Sequence, residues 1–263
     1  MAARLLKKLE TEDGEFVRPA LTRALAAYGE DPAVQKALTA LVMRGIDLYR
    51  SAVIEALGDY HAAYAVVPIM DVAKLDGPLQ EDAILAMGKI GDKRALPVLQ
   101  ELQKTAPRVR QPAVAAAICL LGINCGSHQT FVTETMTFSM KTTGFQDLLR
   151  ASARALGTLA AAGREDAATA ILDVAVPARD PARSPVALAF GTVALRNTPL
   201  AVKVLAARRD LPEAALVLRD AFDMMRSQWQ TDCQLFAKRR TRKRARPRAS
   251  RVPGVRPRRE ARA

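Results

Sequence analysis

One ten-residue pattern constrains this chain more than anything else in it. YRSAVIEALG at residues 49–58 returns as LQEDAILAMG at 79–88 and VRQPAVAAAI at 109–118, at intervals of 30 and 30. Later copies are LLRASARALG at 148–157 and ARSPVALAFG at 182–191, after 39 and 34 residues, and a weaker one, VRPALTRALA at 17–26, precedes the first by 32. Self-similarity at such a period is the signature of a stacked repeat array. The eighth position is alanine in all six: Ala24, Ala56, Ala86, Ala116, Ala155 and Ala189. A small side chain recurring there lets another helix approach closely, while the flanking Leu, Ile, Val and Met supply the buried stripe.

Between copies lies a second helical stretch, typified by KRALPVLQELQK at 93–104, where Ala95, Leu96, Val98, Leu99 and Leu102 recur at helical spacing. Each unit is therefore two helices. Gly58-Asp59 and Gly91-Asp92 punctuate the links, with Gly expected to end one helix and Asp to cap the next. Pro68 and Pro97 fall near the starts of second helices, where a missing amide hydrogen costs little. A two-helix unit of about 30 residues cannot bury both faces alone, so the units must stack. The expected fold class is all-α, an α-solenoid of about six antiparallel helix pairs.

The strings EDAILAMGKIGDKRALPVLQEL at 81–102 and YRSAVIEALGDY at 49–60 resemble the short HEAT repeat of the PBS-lyase type. The likeness covers residues 17–208, sharp in two units and loose in the rest. It implies a right-handed superhelix whose second helices line a concave face. Repeats of this kind serve many unrelated functions, so the resemblance bears on fold far more than on activity.

Two stretches depart from the pattern. Residues 123–145, INCGSHQTFVTETMTFSMKTTGF, are rich in Thr and Phe and account for the 39-residue interval. Alternation of Thr133, Thr135 and Thr137 with Met136 and Phe138 suggests a strand or hairpin, but an irregular second helix is the favoured expectation. Residues 211–238, with the single tryptophan, Trp229, are expected to form a helix that caps the last unit's apolar face.

The net charge of +13 divides unevenly along the chain. Residues 237–263 hold 13 of the 40 Lys and Arg against one acid, Glu260, a balance of +12, which leaves 27 basic and 26 acidic residues, or +1, in the rest. Two domains are thus expected: a HEAT-like solenoid with its capping helix over 1–236, and an Arg-rich disordered tail over 237–263. Lys238, Arg239, Arg240, Arg242, Lys243, Arg244, Arg246 and Arg248 in that tail are the candidate nucleic-acid-binding residues, for phosphate contact without sequence preference. The same composition arises when GC-rich DNA is read out of frame, so a genuine tail and a frameshift product both stay open.

Chemistry-bearing residues are few. His61 and His128 are the two histidines, each expected as a surface-turn side chain, and neither belongs to a His-x-x-His or His-Glu pair. The His-Glu dipeptides of iron-holding HEAT-repeat hydroxylases are therefore missing. Three cysteines fit a reducing compartment, with no disulfide framework expected. Cys119 reads as core packing and Cys125 as a partly exposed thiol. No glycine-rich phosphate loop occurs. HEAT-like DNA glycosylases need aromatic residues beside an acid on the concave face, and only 5% of this chain is aromatic.

No catalytic residue, metal ligand or cofactor is assigned from these residues. The expectation is a non-catalytic, cytoplasmic scaffold or adaptor. It would bind a protein partner on its concave face and non-specific nucleic acid through its tail. Charged residues where a signal peptide would be apolar point to that compartment. The longest apolar run, residues 113–123, is too short to span a membrane. The alternatives are a nucleic-acid-binding solenoid and a bilin-lyase-like enzyme subunit. For the first, Lys74, Lys93, Arg94, Lys104 and Lys203 could form a basic stripe, interrupted by Asp71, Asp76, Glu101 and Asp173.

Overall fold

The computed structural model describes residues 1–14 and 16–227. Met1–Phe222 forms one compact unit. Among the described residues there are helices and turns and no strand. After a leading helix, α1 (Ala2–Thr11), the chain runs through α2 (Val17–Ala26), α3 (Pro32–Met43), α4 (Asp47–Asp59), α5 (Val66–Ala73), α6 (Gln80–Ile90) and α7 (Leu96–Thr105). It continues through α8 (Gln111–Leu120), α9 (Cys125–Lys141), α10 (Gln146–Ala161), α11 (Glu165–Ala175), α12 (Arg183–Arg196) and α13 (Thr198–Ala206). A further helix fills residues 211–222 of this unit, burying Ala214, Val217 and Ala221 at helical spacing. That is the inward stripe expected of a cap, and Trp229 lies outside the described residues.

Every copy of the ten-residue pattern is a helix: α2, α4, α6, α8, α10 and α12. These stack consecutively into one layer, while α3, α5, α7, α9, α11 and α13 form the other. Glycine and alanine set the spacing of the first layer. Gly58 of α4 lies against Ala86 of α6, and a Cβ built on Gly58 would sit 3.1 Å from the Ala86 Cβ. Gly157 of α10 meets Ala189 of α12 in the same way, at 3.3 Å. At these two junctions position ten of one repeat touches position eight of the next, and at the α6–α8 junction Gly88 meets position nine, Ala117. In α8 position ten is Ile118, buried where α4, α6, α10 and α12 carry Gly.

Ala24 breaks the rule. It is exposed, whereas Ala56, Ala86, Ala116, Ala155 and Ala189 are buried. Position eight faces the preceding repeat helix, and α2 has none before it.

The two Gly-Asp links differ from each other. Gly91 does end α6, with a left-handed φ of +78°, and Asp92 accepts a hydrogen bond from the Arg94 amide at 2.9 Å as a cap. Gly58-Asp59 does neither. Gly58 lies inside α4 as a packing residue, and the left-handed turn falls three residues later at His61, φ +52°.

The Thr- and Phe-rich stretch is a regular helix, α9, rather than an irregular one. Thr135 and Thr137 satisfy their hydroxyls by donating to the carbonyls of Phe131 and Thr133, four residues back, so β-branched residues are tolerated without a strand. Its entry is tight: Gly122 (φ +82°) and Asn124 (φ +43°) are both left-handed. Across this turn the side chains of Cys119 and Cys125 meet, Cα atoms 4.0 Å apart. The reversal between α8 and α9 brings these residues, six apart, face to face. No helix among the described residues is long and apolar enough to cross a membrane.

Candidate functional site

The inner face of the repeat layer carries the densest charge chemistry among the described residues. Arg154, at position seven of α10, reaches two helices that are not its neighbours in the stack. Its Nη2 donates to Asp82 Oδ1 at 2.5 Å and to Glu55 Oε1 at 3.3 Å, and its Nη1 to Glu81 Oε1 at 3.2 Å. Glu81 and Asp82 open α6, and Glu55 is position seven of α4. Two of the three acids have further support. Arg110 donates to Glu81 Oε2 at 2.7 Å, and the Ser51 hydroxyl to Asp82 Oδ2 at 2.6 Å. Burial opposes the charge on Arg154, but Asp82, Glu81 and Glu55 outweigh it and hold its proton more tightly than in a free guanidinium.

A second cluster closes the other end of the same face. Asp59, the last residue of α4, accepts from Arg23 of α2 at 2.8 Å, from Lys89 of α6 at 2.9 Å, and from Arg196 of α12. Burial alone would raise its pKa. Hydrogen bonds and charge from Arg196 and Lys89 win, and hold the carboxyl at about 2.

These bridges decide which layer is inside. Helices α4 and α10 are separated in the stack by α6 and α8, and α4 and α12 by α10 as well. Their side chains can meet only if the repeat layer curves toward the side that carries them. The expectation that the second helices line the concave face is therefore overturned. The physical reason lies in side-chain size: the layer spaced by Gly and Ala takes the shorter inner arc, and the layer carrying Leu, Met, Phe and Thr takes the longer outer one.

The sequence-derived candidates fare unevenly. The tail residues Lys238, Arg239, Arg240, Arg242, Lys243, Arg244, Arg246 and Arg248 lie outside the described residues. The stripe candidates belong to the outer layer and its turns. Lys74 pairs with Asp71 at 3.0 Å, Arg94 with Asp92 at 2.5 Å, Lys104 with Glu101 at 3.8 Å, and Lys203 with Glu165. His61 is exposed in the turn after α4, its Nδ1 against the Lys89 carbonyl, while His128 sits in the first turn of α9 with its pKa lowered by burial. The structure does not bring the two together. From sequence, Arg154, Arg196, Glu55, Glu81 and Asp82 carried no assigned role, and Asp59 was expected only as a helix cap. The available signal was position seven, where Glu55 and Arg154 replace the Leu85, Ala115 and Leu188 of other copies.

Two stacked layers of short helices, the inner one built from a repeated Ala/Gly pattern, define an α-solenoid. Residues 79–105 match the family model of the PBS lyase HEAT-like repeat, in keeping with the repeat array around them. None of the curated proteins compared with the chain matches it.

Proposed function

We propose that this HEAT-repeat protein is a non-catalytic, cytoplasmic scaffold that binds a protein partner on its concave face. Residues 1–236 form the binding body, and the basic segment 237–263 adds attraction for polyanions. One observation carries this reading. The inner face presents charged side chains that are fixed by partners and still reach solvent: Arg154 is 38% exposed and Glu55 39%. Preorganised, partly exposed charge is what gives an interface its specificity.

Chemical cross-linking of the full chain to proteins that co-purify at low salt tests the proposal. Cross-links concentrated on α4, α6, α10 and α12 support it, and cross-links confined to outer helices or to the tail defeat it. The nucleic-acid alternative is disfavoured by the pairing of Lys74, Arg94, Lys104 and Lys203 with carboxylates. A bilin-lyase-like role would be marked by tetrapyrrole absorbance in the native protein.

A further inference from the structure

The two charge clusters share a geometry that ordinary packing between neighbouring repeats does not require. Arg154 makes its ion pairs with α4 and α6, and Arg196 makes its own with α4. Yet α4 shares no extended packing interface with α10 or α12. The inner face thus has two walls, α4 with α6 and α10 with α12, joined through α8 and bridged by long side chains.

We infer that Arg154 and Arg196 form an electrostatic latch that holds these two walls together, so that the concave face exists in a closed form and an open one. Three observations carry the inference. First, three of the four acids have partners on their own wall or beside it: Asp82 has Ser51, Glu81 has Arg110, and Asp59 has Lys89 and Arg23. The acidic wall keeps its shape when the latch parts. Second, the ion pairs of Arg154 and Arg196 lie entirely on the opposite wall, so these are the moving parts. Third, α8 joins the walls, and its position ten is Ile118 where α4, α6, α10 and α12 have Gly. The Gly spacing of the layer is thus lost at the α8–α10 junction, and the hinge of the latch is placed there. The pairs differ in their response to salt. Glu55 is 39% exposed and readily screened, whereas Asp82 is 9% exposed and is screened less.

The latch is independent of the partner's identity and can fail without the scaffold reading failing. Its test is the distance between the walls in the full chain, read by electron spin resonance between labels carried on unnatural amino acids at Leu48 of α4 and Leu195 of α12, both exposed. In low salt the wild-type distribution should be single and narrow. In Arg154→Met combined with Arg196→Met, which keeps the apolar stems, it should move to longer distance and at least double in width while circular dichroism stays helical. An unchanged distribution in a folded double variant overturns the latch. Should that variant fail to fold, the single variants Arg154→Met and Arg196→Met decide, since each removes one arm of the latch. Broadening in either supports the latch, and an unchanged distribution in both overturns it.

Discussion

Gly88 of α6 lies so close to Ala117 of α8 that a methyl group on Gly88 would sit 2.6 Å from the Ala117 Cα. Backbone, rather than a mobile side-chain tip, stands in the way. Glycine in a helix interior normally costs about 0.5–1 kcal/mol against alanine, so Gly→Ala is usually a gain. Here the sign should reverse. Gly88→Ala should lower stability by about 1–3 kcal/mol, as overpacking does, in urea unfolding followed by circular dichroism. Ala86→Phe, pressed against Gly58, should do the same. A stable Gly88→Ala would mean that the two helices do not touch there.

Acid sensitivity should trace to Asp59. Its folded-state pKa, about 2, lies below the ordinary value of 3.8, so the stability it adds is present above about pH 4 and is lost as pH falls toward 2. A shift of that size corresponds to about 2 kcal/mol. Asp59→Asn should therefore weaken the fold near neutral pH and flatten the stability profile between pH 4 and 2, where the two proteins should converge. Parallel profiles would remove Asp59 from the account.

His61 offers a cleaner test of backbone strain. It holds a left-handed φ of +52° at the place in the repeat where the next unit has Gly91. A side chain with a Cβ pays roughly 1 kcal/mol there, a cost glycine avoids. His61→Gly should be at least as stable as His61→Ala, and the thermal midpoints of the two variants order them directly. The reverse order would show that the strain is absent.

Truncation after Phe236 should leave the helical body intact and remove most binding to unrelated DNA, RNA or heparin, since the rest of the chain carries 27 basic and 26 acidic residues. Binding by the full chain should fall steeply with salt, as counterion release requires. A truncated body that binds DNA as tightly as the full chain would move the nucleic-acid site to the concave face.

The layered fold was legible because one helix of each unit repeats its small residues in register, and Ala56, Ala86, Ala116, Ala155 and Ala189 are buried where the pattern puts them. The inner and outer roles of the layers were not. Self-similarity identifies which helices are equivalent but carries no sign of curvature, which here follows from the narrower spacing that Gly58 and Gly157 permit. The two Gly-Asp pairs show the same limit at a smaller scale. Identical dipeptides at positions ten and thirteen do different jobs, one facing a helix and one making a turn. Arg154 escaped notice for a related reason: its partners are 72 to 99 residues away, and no local pattern connects them.

The bridge from Arg196 to Asp59 gives this array something that most repeat proteins lack, a fixed copy number. In an open stack, a unit can be duplicated or lost at the cost of one junction, and the ends neither know nor care. Here the carboxylate of α4 and the guanidinium of α12 meet only when the intervening turns of the stack bring them to the same point in space. Deleting the 30 residues of one unit between them would leave Arg196 short of Asp59 and break their ion pair. The chain, in effect, counts its own repeats.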